Sequence, residues 1–121
     1  MNNNMGPMKE REAKFVARQL FSAIEYLHER KIIHRDIKPE NIMIDEIQKK
    51  NKIHIKLIDF GFAIESYPGN RNNQQLGSQH YLAPEVFKGL YYDEKIDIWS
   101  ATICVYIMLC EYLPFYGKSS E

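Results

Sequence analysis

The chain has 121 residues, 45% of them hydrophobic, and its sixteen basic and sixteen acidic residues give a formal net charge of zero. This length suits one small domain with a modest core. The absence of a basic excess argues against nucleic acid or an anionic membrane surface as a partner. The longest uncharged and mainly apolar run, residues 98–110, is shorter than the roughly twenty apolar residues that span a bilayer. Cys104 and Cys110 within it are expected to be free thiols, which predicts an intracellular, cytoplasmic location.

Residues 1–7 contain three consecutive asparagines, a glycine and a proline, and are expected to form a disordered lead or linker. Between residues 8 and 30, apolar side chains recur at helical spacing, which predicts an amphipathic helix. The side chains expected on its buried face are Phe15, Val16, Leu20, Ala23, Ile24 and Leu27.

Two short strands are predicted at residues 42–44 and 53–58, joined by a polar turn over residues 45–51. Residues 65–79 are rich in Gly, Asn and Gln with little periodicity, which predicts a mobile loop. Residues 92–109 are apolar on nearly all sides, which is typical of a helix buried at the centre of a larger protein.

Residues 34–41 carry the side chains that are best suited to take part in a chemical reaction. Asp36 could accept a proton from a hydroxyl, Lys38 could steady a migrating phosphate, and Asn41 could hold a magnesium ion. These are the groups that phosphoryl transfer needs, because that reaction depends mostly on positioning and charge stabilisation. Pro39 prevents a helix from continuing through the segment, so it is expected to form a loop.

Two further motifs follow in the chain, Asp59-Phe60-Gly61 and Ala83-Pro84-Glu85. With the 34–41 segment, they resemble the motifs of the eukaryotic protein kinase family, and specifically the C-terminal lobe of a serine/threonine kinase. Residues 59–63 and 81–86 are most similar to the calcium/calmodulin-dependent group. The resemblance implies a mainly α fold with a small β-hairpin, a partial α+β C-lobe over residues 8–121.

The resemblance also implies roles for the polar residues. Asp36 would be the catalytic base, Lys38 would contact the transferring phosphoryl group as in serine/threonine kinases, and Asn41 and Asp59 would bind Mg²⁺. ATP would be held at a site that includes these two residues together with Lys38 and Glu40, and Glu40 could also attract a basic residue of a protein substrate. Taken singly, Asp36 and Asp59 could instead be capping carboxylates, Asn41 a turn residue and Lys38 a solvated cation.

Other residues would have structural or regulatory roles by the same resemblance. His34 would pack beside Phe60, and Gly61 would let the chain turn beyond it. Arg35 would pair with a phosphate on the activation segment. However, Gln74 stands three positions before Gly77, where the family usually carries that phosphate, so activity is expected not to depend on a phosphate there.

Four more positions match the family. Ser78 would contact the catalytic Asp and Lys, and Tyr81 would line the pocket for the residue after the phosphoacceptor. Glu85 would pair with a distant arginine. Asp97 would anchor the catalytic-loop backbone from the central helix, although the dipole of that helix would also favour an acid there.

The chain is expected to lack the N-lobe and the last helices of a kinase, so the fragment alone is expected to be inactive. The expected partners are those missing parts and a protein substrate with a Ser or Thr acceptor. Thr102 and Glu111 depart from the family, which usually has glycine at both positions. The alternatives that stay open are a pseudokinase-like scaffold, an interaction fragment and a small-molecule phosphotransferase.

Overall fold

The first helix, α1, carries most of the core. The structure, a computed structural model, describes residues 7–47 and 52–115, and α1 spans Glu10–Glu29. Its buried side chains follow one another at steps of three or four residues, so they form one stripe. They are Ala13, Val16, Leu20, Ile24 and Leu27.

The sequence prediction of α1 was two residues too long at its start and one at its end. Its buried face was wrong at Phe15, and Ala23 is only partly buried. Phe15 is 50% exposed, while Ala13, which was not predicted, is 2% exposed. Phe15 precedes Val16 by a single residue, and a rotation of about 100° per residue carries it beside the buried stripe. The helix stops where Lys31 adopts φ 61°, with the Lys31 N–H bonded to the carbonyl of His28 at 3.0 Å.

The described residues contain two small antiparallel sheets. The larger pairs β2 (Ile42–Ile47) with β3 (Lys52–Leu57), and Ile44 faces Ile55 in its register. This is the predicted hairpin, with β2 three residues longer than predicted and β3 shifted by one residue from the predicted 53–58. The predicted lead, except for Pro7, and the centre of the hairpin turn, residues 48–51, lie outside the described residues.

The second sheet was not predicted. It pairs β1 (Ile32–Ile33) with β4 (Ile64–Glu65), two residues each. Strands this short leave no periodic pattern in the sequence. Because β1 directly precedes the 34–41 loop and β4 follows the Asp59-Phe60-Gly61 motif, this pairing brings the two motifs to the same region of the molecule.

The later helices are α2 (Pro84–Phe87) and α3 (Lys95–Cys110). α3 begins three residues after the predicted start, because Tyr92 forms a β-bridge with Asn72 instead of continuing the helix. Short 3₁₀ turns occur at Pro39–Asn41 and Gln79–Tyr81. Residues 66–78 form no helix or strand, whereas the ends of the predicted loop, Glu65 and Gln79, lie in β4 and in the second 3₁₀ turn. The mobility of the loop stays a prediction.

The two departures from the family pattern fall at the surface of α3. Thr102 is exposed, and its hydroxyl donates to the carbonyl of Ile98 at 2.7 Å, so it adds no volume to the core of the described residues. Glu111 ends α3 with φ 62° and ψ 11°, the left-handed conformation that glycine adopts most easily.

α1, the hairpin and α3 share the larger core. Val16, Leu20 and Ile24 of α1 pack with Ile37, Ile42 and Ile55, and with Ala101, Cys104 and Met108 of α3. A smaller cluster joins Ile33, Ala83, Val86, Tyr92 and Ile96. Burying each large side chain contributes about 1.5–3 kcal/mol. Ile33, just before the 34–41 loop, belongs to the smaller cluster, and Ile37 within the loop belongs to the larger one. The two clusters therefore hold this loop in place.

Two further observations concern the whole described part. Cys104 and Cys110 are free, as expected, with Cys104 buried and Cys110 partly buried. No helix among residues 7–47 and 52–115 is both long and apolar enough to cross a bilayer.

Candidate active site

The carboxylate of Asp97, in the first turn of α3, holds the backbone at the start of the 34–41 loop. It accepts hydrogen bonds from the backbone N–H of His34 at 2.9 Å and from that of Arg35 at 3.0 Å. His28 of α1 contacts the same carboxylate through Nε2 at 2.9 Å. Asp97 is 1% exposed, and a buried carboxylate is tolerated when its oxygens are satisfied in this way. The loop is therefore tied to both long helices.

This anchor supports a strained backbone. Arg35 has φ 69°, in the left-handed region that costs a non-glycine residue roughly 1–2 kcal/mol. Such strain persists only where surrounding contacts determine the conformation, and it is frequent at functional sites. The residue with this left-handed conformation directly precedes Asp36.

The His34 side chain links the loop to the Asp59 motif. Its Nδ1 accepts a hydrogen bond from the Asp36 N–H at 3.1 Å, and its Nε2 lies 3.0 Å from the carbonyl oxygen of Ile58. One neutral tautomer, with the proton on Nε2, satisfies both bonds. The ring also meets Phe60 edge-on, with centroids 4.9 Å apart. His34 is fully buried, and its structural role stays a prediction.

Asn41 orients Asp36. The side-chain Nδ2 of Asn41 donates to the Asp36 carbonyl oxygen at 2.8 Å and to the Asp36 carboxylate at 3.2 Å. Both residues are buried. Because the amide nitrogen of Asn41 faces Asp36, its amide oxygen points elsewhere and is the group able to bind a cation.

Lys38 lies beside the same carboxylate. Its Nζ is 4.0 Å from Asp36 Oδ1 and donates to the hydroxyl of Ser78 at 2.9 Å. An ammonium between a carboxylate and a hydroxyl can approach a further anionic group, since it has three donors. The contact between Lys38 and Ser78 also attaches the end of the 66–78 segment to the loop.

Asp59 is brought next to these residues through its two neighbours in the chain. Ile58 donates its N–H to the carbonyl of Asn41 at 2.9 Å, while Phe60 packs on His34. Asp59 itself is exposed and has φ 59°. The two sequence-predicted acids, 36 and 59, thus lie on chain segments that are joined by the Ile58–Asn41 hydrogen bond.

Gly61 lies in the turn that the chain makes beyond Phe60, which is closed by a hydrogen bond from the Ala63 N–H to the Phe60 carbonyl at 3.1 Å. Its φ is not positive. Its N–H donates to Asp59 Oδ1 at 3.2 Å, and a Cβ at Gly61 would also lie 3.2 Å from that oxygen. A larger residue would press on the carboxylate that glycine allows to approach.

The described oxygen donors fit a magnesium ion that keeps other ligands. An Asn oxygen and an Asp carboxylate are hard ligands of the type that Mg²⁺ prefers, completed by water and phosphate oxygens. No cluster of three His, Cys, Asp or Glu side chains suited to a metal occurs within residues 7–47 and 52–115. A protein-only cage is therefore not the arrangement that these residues form.

Three predicted residues lie outside this group. Glu40 is exposed on the Pro39–Asn41 turn. The pKa of the Tyr81 hydroxyl is raised to about 12, mainly by burial and then by the charge of Glu40 and by Cys104, so Tyr81 stays protonated and uncharged at neutral pH. Glu85 is partly buried and forms no ion pair within the described part of the chain.

Sequence reasoning missed three contacts around the loop. His28, near the end of α1, belongs to none of the sequence motifs, yet it contacts Asp97. Gln74 was treated as an inert replacement, yet its side chain accepts a hydrogen bond from Arg35 at 2.8 Å. Tyr92 also contacts Arg35, at 3.3 Å. These pairs lie far apart in the chain, and no local pattern indicates them.

Comparison with known proteins leads to the same family as the sequence motifs. The sequence model described as "Protein kinase domain" matches residues 1–121. Calcium-dependent protein kinase 5 of Plasmodium berghei is 41% identical over 116 residues, which cover 96% of this chain and 20% of that protein. The carbon catabolite-derepressing protein kinase of Saccharomyces cerevisiae is 42% identical over 113 residues, 93% of this chain and 17% of that protein. The chain thus spans about one fifth of the length of the curated relatives it matches.

A loop bearing an oriented carboxylate, a neighbouring ammonium and a nearby acid is typical of proteins that transfer phosphoryl groups. The chain belongs to the protein kinase family. The family resemblance stated from the sequence is confirmed.

Proposed function

We propose that the protein is a serine/threonine protein kinase, and that this chain is part of its C-lobe with the catalytic loop, the activation segment and the central helix. The reaction is transfer of the γ-phosphate of ATP to a hydroxyl of a protein substrate. One observation carries the proposal: Asn41 binds both the backbone and the carboxylate of Asp36. A carboxylate held in this way is preorganised to receive a proton.

In this proposal each residue has one task. Asp36 orients the substrate hydroxyl and accepts its proton, for which general-base contributions run about 10²–10⁴-fold. Lys38, between Asp36 and Ser78, donates to the phosphoryl oxygens. Asn41 and Asp59 hold Mg²⁺, which when bound with ATP supplies positive charge to the phosphate oxygens.

The rest of the site would come from parts of the protein that correspond to the remaining length of the relatives. A protein kinase also needs a glycine-rich loop over the phosphates, a strand lysine and its glutamate partner. Serine or threonine as the acceptor is supported by Lys38, because a lysine at this position marks serine/threonine kinases by resemblance. The names of the relatives say only "protein kinase" and do not specify the acceptor. We also propose an intracellular, cytoplasmic location, supported by the free thiols Cys104 and Cys110.

The experiment uses the complete protein with three peptides that differ only in the acceptor, Ser, Thr or Tyr. We expect ATP- and Mg²⁺-dependent transfer to the Ser and Thr peptides and none to the Tyr peptide. We also expect a non-hydrolysable ATP analogue with Mg²⁺ to raise the melting temperature. A folded protein that shows neither transfer nor stabilisation by nucleotide would support a scaffold instead.

A further inference from the structure

The Arg35 guanidinium binds only uncharged acceptors in the part of the chain that the structure describes. Its Nε donates to the carbonyl of Phe62 at 2.6 Å. Its Nη1 donates to the side-chain oxygen of Gln74 at 2.8 Å and to the hydroxyl of Tyr92 at 3.3 Å. Arg35 is 8% exposed, and no carboxylate of residues 7–47 or 52–115 lies within ion-pair distance of it. A buried cation of this kind depends on its neutral hydrogen bonds.

Gln74 is fixed by its backbone as well as by its side chain. The Tyr92 hydroxyl donates to the Gln74 carbonyl at 2.8 Å, and the Tyr92 N–H donates to the Asn72 carbonyl at 2.9 Å. The next residue, Gln75, donates from its amide to the carbonyl of Phe87 at 2.9 Å. Residues 72–75 are therefore held in place by amide groups, by the Tyr92 hydroxyl and by the Arg35 guanidinium.

Gly77 and Ser78, at the end of the 62–78 segment, reach the proposed catalytic residues. A Cβ built on Gly77, which has φ 108°, would lie 3.0 Å from the carbonyl oxygen of Arg35. Ser78, one residue further, accepts the hydrogen bond of Lys38 at 2.9 Å. The Arg35–Gln74 bond lies three residues before this close contact, and Arg35 is the residue next to Asp36. A displacement of Gln74 would thus change the positions of both Lys38 and Asp36.

We propose that Gln74 is a positioning residue, whose neutral amide holds the 62–78 segment on Arg35 and so keeps Asp36 and Lys38 aligned without a phosphate in that segment. The proposal rests on the proposed kinase function. Gln74 is itself exposed, so its side chain can be exchanged for an isosteric glutamate without disturbing the packing.

The test compares Gln74→Ala, Gln74→Glu and the control Asn73→Ala in the complete protein. Asn73 is the exposed neighbour, for which the described residues give no side-chain hydrogen bond. We expect Gln74→Ala to lower kcat about fivefold, the effect of losing one hydrogen bond, with the KM for ATP unchanged within about twofold. We expect Gln74→Glu to keep the kcat of the unmodified protein, because its carboxylate also accepts a hydrogen bond from Arg35. We expect phosphatase treatment of the unmodified protein to leave kcat unchanged.

A second measurement does not need activity. Hydrogen exchange without nucleotide is expected to become faster in residues 62–78 of Gln74→Ala and to stay unchanged in Asn73→Ala. If the unmodified protein transfers no phosphate, the kinase proposal fails and the exchange result alone decides whether Gln74 holds the segment. Faster exchange with unchanged kcat would show a merely structural role and overturn the inference. So would a Gln74→Ala that matches Asn73→Ala in both measurements, or a loss of kcat on phosphatase treatment.

Discussion

The carboxylate of Asp97 accepts a hydrogen bond from the backbone N–H of Arg35, a residue 62 positions earlier in the chain. The contact joins the first turn of α3 to the loop that carries Asp36, and Arg35 has the left-handed φ of 69° at that point. A strained backbone and the group that stabilises it are thus supplied by different elements. The geometry of the loop depends on the packing of α3 against α1.

Asp97→Asn is expected to destabilise the protein by about 3 kcal/mol, because the amide has one acceptor where the carboxylate has two, and the other bonds at this buried position are lost. Glu94→Gln, at the exposed start of the same helix, is the control and should change stability by less than about 0.5 kcal/mol. Thermal unfolding of the complete protein measures both. Equal melting temperatures for the two variants would show that Asp97 does not anchor the loop.

Leu20→Ala is expected to cost about 2–5 kcal/mol, because Leu20 is fully buried where α1 meets the hairpin and α3. Glu25→Ala, on the exposed face of the same helix, is the control. Denaturant unfolding compares them, and a Leu20→Ala that is as stable as Glu25→Ala would contradict the described core.

The Gln19 side chain acts as a partner for the β3 backbone. Its amide nitrogen donates to the carbonyl of Ile53 at 2.7 Å, and its amide oxygen accepts from the N–H of Ile55 at 2.9 Å. Gln19→Glu removes the donor and places a carboxylate beside a carbonyl oxygen, so it is expected to destabilise by roughly 1–3 kcal/mol. Gln19→Ala should in addition speed hydrogen exchange at Ile55, while exchange at Leu57 is the internal control. An unchanged Ile55 exchange rate would exclude this pairing.

Cys104 gives a prediction for alkaline pH. Burial, followed by the charge of Glu40, raises its pKa from 9.0 to about 12. The folded state therefore keeps the proton after the unfolded state has lost it, and this contribution to stability is present below pH 9 and lost as the pH rises towards 12. The free energy of unfolding should thus fall less between pH 8 and pH 10.5 in Cys104→Ala than in the unmodified protein or in Cys110→Ala. Parallel slopes in all three proteins would show that Cys104 is not buried as a thiol.

Local patterns were enough to predict several elements. The three- and four-residue steps of the apolar side chains indicated α1, and Pro39 placed the 34–41 segment on a loop. The alternation of residues 53–58 indicated a strand. Each of these features is determined by residues close in sequence, which is where periodicity and backbone restriction act.

The contacts that the sequence did not disclose are long-range. β1 and β4 are too short for a periodic signal, and their pairing depends on where α1 ends. The bond between Arg35 and Gln74 joins residues 39 positions apart, and a glutamine in a loop gives no sign of its partner. Phe15 was misplaced because hydrophobicity alone does not fix which side of a stripe a residue takes.

The most direct test of the account is single-turnover phosphoryl transfer by Asp36→Asn in the complete protein, with Asp45→Asn as the control. Asp45 is an exposed acid on the hairpin. We expect Asp36→Asn to slow transfer to a serine peptide at least about 100-fold while Mg²⁺–nucleotide affinity stays within about threefold, and Asp45→Asn to change neither. Transfer by Asp36→Asn at the unmodified rate would contradict the assignment of Asp36 as the base.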